Sequence, residues 1–323
     1  MYEDDALVND LTRLIRGNCG IMFHHFHGKT HPKAQGSISC EVFEELIINI
    51  GLERIVSAKF FTESILNNSL PENSVCLTFD DNLKCQFDIA LPVLKKFGIT
   101  ALWNINTASL TDRLDPMEIY RHYRSNGFPN LDEFYDCFLN HLKNKELSNK
   151  LEIHLSNFNP KKYLSEHSVY SDNDRIFRFV RDHVLTSSEY CNAMDELIYE
   201  DKNYNVSNVA KKLWMKDDDI QHLIDQGHLI GLHTHNHPTK IELLSEKEQR
   251  SEYTTNKNVI QNRFGLSCIA MSHPSGSYNA FTLKLIKSLG VKVGFRADPH
   301  KQKYSLLELP RYDHAEILSF KDP

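Results

Sequence analysis

The chain has no apolar run approaching the ~20 residues that cross a bilayer, which excludes an evident membrane-spanning helix. It also lacks a long basic stripe or an acidic tail. Its 37 basic and 43 acidic side chains leave a formal charge of −6 spread along 323 residues, a poor match to nucleic acid or an anionic membrane surface. Cysteine pairs at metal or redox spacing are missing too. Cys19, Cys40, Cys76, Cys85, Cys137, Cys191 and Cys268 are odd in number and scattered, and they read as buried or idle thiols of a reducing compartment. The opening MYEDDALVNDLTRLIRG carries acids where a secretion signal carries bases, so the expected location is cytoplasmic. A composition of 41% hydrophobic and 25% charged residues is that of an ordinary globular protein.

A helix is expected over Asp5 to Arg16, then a short apolar strand, Gly20 to Phe23, ending in His24, His25 and His27. Ser39 caps a helix whose Val42, Phe43, Leu46, Ile47 and Ile50 recur at helical spacing. Val75 to Phe79 reads as a buried strand bounded by Pro71 and by Asp80-Asp81-Asn82. A helix from Lys84 to Phe97 buries Phe87, Leu91 and Leu94 and stops at Gly98, and Ile99 to Ile105 is the next strand. Short strands recur at Leu229 to Leu232, Ser267 to Met271 and Lys292 to Phe295, alternating with helices at Lys216 to Gln226, Ser245 to Phe264 and Ala280 to Leu289. This alternation predicts an α/β fold with a parallel sheet, open or closed into a barrel.

About 100 residues between the strand ending at Ile105 and the helix starting at Lys216 carry helical rather than strand signals. They form an inserted, mostly helical subdomain, giving barrel segments 1–110 and 215–323 around an insert of 111–214. Its Tyr120, Tyr123, Phe128, Phe134, Tyr135, Phe138, Phe177 and Phe179 either pack internally or line a groove.

Two strand ends concentrate the chemistry: Thr78-Phe79-Asp80-Asp81 and Gly231-Leu232-His233-Thr234-His235-Asn236-His237-Pro238. Parallel strands put their carboxyl ends on one rim, where such residues converge. Adjacent residues on a strand face opposite ways, so Asp80 and Asp81 share a site only if the chain turns at once, which Asn82 permits through its tolerance of left-handed geometry. Imidazoles at i and i+4 present two nitrogens to a divalent ion. On a helical turn His233 and His237 share a face; on an extended segment His235 joins them.

T-F-D-D, then H-T-x-x-H-P about 150 residues later, then P-x-G-S-Y-N, resembles the polysaccharide deacetylase family, the NodB-homology or carbohydrate esterase family four type. The resemblance spans roughly 20–110 and 215–313. Ile21-Met22-Phe23-His24 looks like its first strand, Ala90 to Ile99 resembles the helix after its acidic motif, and Leu309-Pro310-Arg311 resembles its closing strand. It implies an irregular (β/α) barrel with about seven parallel strands. It also implies one divalent metal on Asp81, His233 and His237, with zinc the expected ion and cobalt, nickel or manganese the alternatives. Asp80 becomes the general base, a backbone N–H of the Ser275-Gly276 turn an oxyanion donor, and a late histidine the acid, His314 ahead of His300. His24 lines the site.

Two departures stand out. Asn82 replaces the family's glycine, and Ser272-His273-Pro274-Ser275-Gly276 lacks the arginine that steadies the base, leaving Arg296 or Arg311 to supply that charge. The activity implied is removal of an acetyl group, N-acetyl ahead of O-acetyl, from a sugar or glycan precursor. Two alternatives remain: hydrolysis of another amide, and a catalytically inactive sugar-binding module of the same fold.

Overall fold

The computed structural model describes residues 15–111, 114, 116–144, 147–165, 170–300 and 305–319, so the helix expected over Asp5 to Arg16 lies almost wholly outside the described residues. Among these residues, no helix is long and apolar enough to cross a membrane. The chain divides into two compact units, Met1–Asp115 with Lys212–Pro323, and Pro116–Lys211.

The first unit opens with β1 (Cys19–Phe23), α1 (Cys40–Ile50) and α2 (Ala58–Leu66), followed by β2 (Val75–Asp80), α3 (Leu91–Phe97) and β3 (Leu102–Ile105). Ser39 caps α1 through its side chain, and Gly98 ends α3 in the left-handed conformation, φ 67°, as expected. One turn differs from expectation. The stretch before α3, Gln86–Ala90, is a π-helical turn, and Phe87 within it is half-buried, with Lys84 4.3 Å above its ring.

The second unit is helical: α4 (Pro116–Asn126), α5 (Leu131–Lys143), α6 (Ser148–Leu155), α7 (Asp172–Phe179) and α8 (Ser187–Glu200), with most of α9 (Val206–Leu213). Its core is aromatic. Phe134, Phe138 and Phe177 have ring centroids 5.2–5.8 Å apart, with Tyr135 5.3 Å from Phe177, and Tyr120 and Tyr123 are buried as well. Internal packing accounts for these rings.

The first unit resumes with α10 (Asp217–Asp225), β4 (Leu229–Leu232), α11 (Glu246–Phe264), β5 (Ala270–Ser272), α12 (Ala280–Ser288), β6 (Val293–Phe295), β7 (Arg311–Asp313) and α13 (His314–Ser319). All seven strands are parallel, in the order β6-β5-β4-β3-β2-β1-β7. Leu309 bridges to Phe295 of β6 just before the chain joins β1 as β7, so the sheet is a nearly closed, irregular barrel. The closing strand is two residues later than the Leu309-Pro310-Arg311 motif suggests, because Leu309 is spent on β6.

Strand alternation divides the barrel interior by depth. Cys76, Leu102, Ala270, Val293 and Phe295 pack with Leu309 and with Ala58, Phe61 and Ile65 of α2. Two or four residues further along the same faces stand Thr78, Asp80, Asn104 and Ser272, all buried. On the opposite faces Phe79 stacks on Trp103 at 4.4 Å and on Phe23 at 5.5 Å. The interior is thus apolar at one end and polar at the carboxyl end of the strands.

Two buried histidines tie the barrel to pH. His228 Nδ1 accepts the Ala101 N–H at 3.0 Å, and the His273 ring stacks on Tyr278 at 4.3 Å. Burial pushes both down to about 4. Protonation therefore favours the unfolded chain: their contribution is full above the ordinary value of 6.5 and fades as pH falls towards 4. The urea midpoint should drop between pH 7 and pH 4.5, by less in His228→Gln. A midpoint that does not move over that interval would contradict neutral burial.

Candidate metal centre

The rim site begins with backbone that most side chains avoid. β2 ends at Asp80, and the next two residues, Asp81 (φ 78°) and Asn82 (φ 58°), are both left-handed. The Asn82 turn expected from sequence is there, and Asp81 shares its strain. Asn82 fastens the turn by donating its amide to Ser109 Oγ (2.9 Å) and the Met215 carbonyl (3.3 Å), while its own carbonyl accepts the Met215 N–H at 2.9 Å. The reversal lets both carboxylates serve one site through different neighbours.

Asp81 faces the histidines that follow β4. Its Oδ1 lies 3.2 Å from His233 Nε2 and 3.2 Å from His237 Nε2. The ligand atoms of Asp81, His233 and His237 all lie within 4.8 Å of one another, and among the described residues they are the group arranged to hold a metal ion. His235 is turned away from the trio, with its Nδ1 2.9 Å from Thr107 Oγ1.

α11 sets this loop. Glu252 accepts the backbone N–H groups of His235 (3.0 Å) and Asn236 (2.7 Å) and the Asn236 amide (2.6 Å). One turn on, Asn256 accepts the His233 N–H at 3.1 Å and donates to the Ile105 carbonyl at 2.8 Å. These bonds hold Thr234 and His237 at positive φ, 62° and 53°.

The donor set fits a divalent cation. Ser272 donates its hydroxyl proton to Asp80 Oδ1 (3.0 Å), so its oxygen accepts at His233 Nδ1 (2.8 Å), beside the Ser272 carbonyl (3.0 Å). The His233 proton therefore belongs on Nδ1, and Nε2 presents a lone pair to an anionic oxygen that is buried and lacks a hydrogen-bond partner. A proton or a metal ion must come between them. Burial opposes charging His233, but Asp80 and Asp81 outweigh it and raise its pKa; burial and the neighbouring His233 and His24 lower that of His237, against the pull of Asp81.

Asp80 is held differently. Burial opposes its charge, yet Arg311, then His233 and His24, hold it down to about 2. Arg311 Nη1 is 2.7 Å from Oδ2, and Asn104 Nδ2 donates to Oδ1 at 2.8 Å. Arg311 arrives from β7, where it pairs in register with Gly20 of β1, and it also donates to Thr78 Oγ1 at 3.1 Å. A Cβ on Gly20 would lie 2.8 Å from Arg311 Cγ, so that glycine gives the arginine its path. Gly231 does the same for Asn104, whose Oδ1 a Cβ there would strike. The charge absent from Ser272-His273-Pro274-Ser275-Gly276 thus comes from Arg311. Arg296 is spent on the Asp298 and Glu308 carbonyls.

The remaining expected residues fall in three places. His24 Nε2 lies 4.0 Å from Asp80 Oδ2, with its side chain 28% exposed. His314 is buried, its ring nitrogens 3.3 Å from the Met22 carbonyl and 3.2 Å from that of Gly36, so acting as an acid requires giving up one of those bonds. His300 is at the surface, 3.0 Å from Glu316. In the Ser275-Gly276 turn the Gly276 N–H donates to the His273 carbonyl at 3.0 Å, so the oxyanion expectation fails for that amide and narrows to the exposed Ser275. A cleft of about 300 Å³ lies beside Ser109, lined also by Met215, Lys216, Asp217, Asp218 and Arg263.

Residues 191–294 match the sequence profile of the family described as polysaccharide deacetylase. Over that stretch the chain is similar to the polysaccharide deacetylases. Solved deacetylase structures share the fold. The Streptococcus pyogenes deacetylase PplD in complex with acetate is 17% identical with a TM-score of 0.53, covering 95% of this chain and 99% of that one. IcaB from Ammonifex degensii is 13% identical with a TM-score of 0.55, covering 95% and 98%. A de-N-acetylase from Aggregatibacter actinomycetemcomitans is 13% identical at 0.53, covering 94% and 99%. Such coverage takes in most of the helical unit, which the deacetylase motifs in the sequence do not reach. Curated protein sequences give no match.

Zinc titration against a chelating dye should show one tight site that is lost in Asp81→Ala and left nearly unchanged in His235→Ala. Glu252→Gln should weaken it by roughly 10- to 100-fold. Loss of binding in His235→Ala would overturn the assignment of ligands.

Proposed function

We propose that this chain is a metal-dependent deacetylase that removes an acetyl group from a sugar or glycan precursor, N-acetyl ahead of O-acetyl. One observation carries the reading: two adjacent carboxylates are given different partners, Asp81 the two imidazoles and Asp80 the Arg311 guanidinium. Asp81, His233 and His237 would hold the ion, zinc ahead of cobalt, nickel or manganese. When bound, it supplies Lewis acidity, making a water more acidic and an acetyl carbonyl more electrophilic.

The chain's own residues do the rest. Asp80, ionised and fixed by Arg311, Asn104 and Ser272, orients the attacking water and takes its proton as negative charge passes to the carbonyl oxygen. A carboxylate held at about 2 is a weak base, so its placement matters more than its affinity for the proton. His24 returns a proton to the departing amine: it is partly exposed and stands beside Asp80, whereas His314 keeps its nitrogens on the backbone. The Ser275 N–H is the turn's remaining candidate for the oxyanion. The cleft with Ser109, Lys216 and Asp218 offers hydroxyl, ammonium and carboxylate groups suited to sugar hydroxyls rather than to an apolar substrate.

Acetate release from a panel of N- and O-acetylated sugars, followed by mass spectrometry, tests the reading directly, and a zinc-replete protein that releases none would refute it. Asp80→Asn should keep zinc affinity yet slow turnover by roughly 10²-fold or more. Arg311→Gln should move the acid limb of the kcat/KM profile to higher pH, because the Asp80 carboxyl then rises towards its ordinary range. An acid limb that stays in place would sink the proposed part of Arg311.

A further inference from the structure

The helical unit contains a buried positive charge that its own carboxylates do not balance. Arg124 of α4 is only 9% exposed, and its Nε is sealed from solvent with no hydrogen-bond partner. Its guanidinium stands 5.5 Å from the Phe177 ring, and that of Arg181 stands 5.7 Å from the same ring. Neighbouring arginines have acids of their own: Arg175 with Asp172 (3.7 Å), Arg178 with Asp174 (3.9 Å) and Arg181 with Asp182 (2.7 Å). Asp174 is further engaged by the Tyr135 hydroxyl, which donates to it. Among the described residues, Arg124 has neither a carboxylate within 4 Å nor a hydrogen bond.

Positive charge is concentrated around it. Arg121 is one turn away on α4, and Arg178 lies 3.9 Å over the Tyr170 ring. Burial holds the Arg124 pKa below its usual value; Tyr135 pulls the other way, and Arg178 and Arg121 add to the lowering. Leaving a buried guanidinium unpaired is costly, and native proteins normally pair such groups or give them a ligand. Arginine forks match tetrahedral oxyanions, and several cations around one position suit a doubly charged group better than a single carboxylate.

We propose that the helical unit binds an oxyanion of the phosphate type at Arg124, with Arg121 and Arg178 beside it and the Phe177 ring as one wall. None of these residues is among the metal ligands, and the binding does not depend on deacetylase activity. A free phosphate and a phosphorylated glycan would present the same group to it.

Calorimetric titration of inorganic phosphate into the full chain tests this. The wild type should show a binding event that Arg124→Met removes and Arg121→Gln weakens by about tenfold or more. Phosphate bound at the metal centre would be the same in all three proteins, so the difference isolates this site. In phosphate-free buffer Arg124→Met should be at least as stable as the wild type, since it removes an uncompensated buried charge. Identical phosphate heats in wild type and Arg124→Met would overturn the proposal, as would acetate binding more tightly than phosphate. Should Arg124→Met fail to fold, unchanged phosphate affinity in Arg121→Gln would overturn it alone.

Discussion

The ion pair between Arg311 and Asp80 organises the carboxyl end of the barrel. Two charges buried at 2.7 Å are kept only when the surroundings complete them, and removing one partner of such a pair costs roughly 3–5 kcal/mol. Here β7 contributes the guanidinium, β1 a glycine that makes way for it, β2 Thr78 and the carboxylate, β3 Asn104 and β5 Ser272. Five of the seven strands thus meet at one carboxylate, and the nearly closed barrel and the ion pair depend on each other.

Around that fixed point the site divides its labour. The left-handed turn at Asp81 and Asn82 sends two neighbouring acids to different partners, a reversal that costs backbone strain and is held by Asn82's bonds to Ser109 and Met215. Ser272 links the halves: it donates to Asp80 and accepts from His233, which sets the tautomer that turns Nε2 towards Asp81. A change at Asp80 is therefore felt at His233 through one hydroxyl.

Much of this was legible in the sequence where local physics decides. The βα alternation, the caps at Ser39 and Gly98, the turn at Asn82 and the i, i+4 histidine pair all follow from spacing and residue type. His235 needed tertiary information, since Glu252 and Asn256 of α11 set the loop backbone and Thr107 holds the His235 ring. The sources of Asp80's support were hidden for a related reason. Asn104 sits in Leu102-Trp103-Asn104-Ile105, where a polar residue inside an apolar strand is a signal, but its target lies on another strand. Glu252 and Asn256 sit on a largely polar helix and resemble its exposed residues until their loop partners are known. Gly276 went the other way: a glycine turn invites an oxyanion reading, and its amide is consumed by the turn itself.

The central claim is that Asp81, His233 and His237 bind one ion while Asp80, beside them, remains on Arg311. Anomalous diffraction from a crystal soaked in zinc or manganese tests it most directly. A single anomalous peak should appear, bonded to Asp81 and to Nε2 of His233 and His237, with Asp80 outside the coordination sphere and still paired with Arg311. A peak that recruits His235, or that draws Asp80 off Arg311 as a ligand, would contradict it.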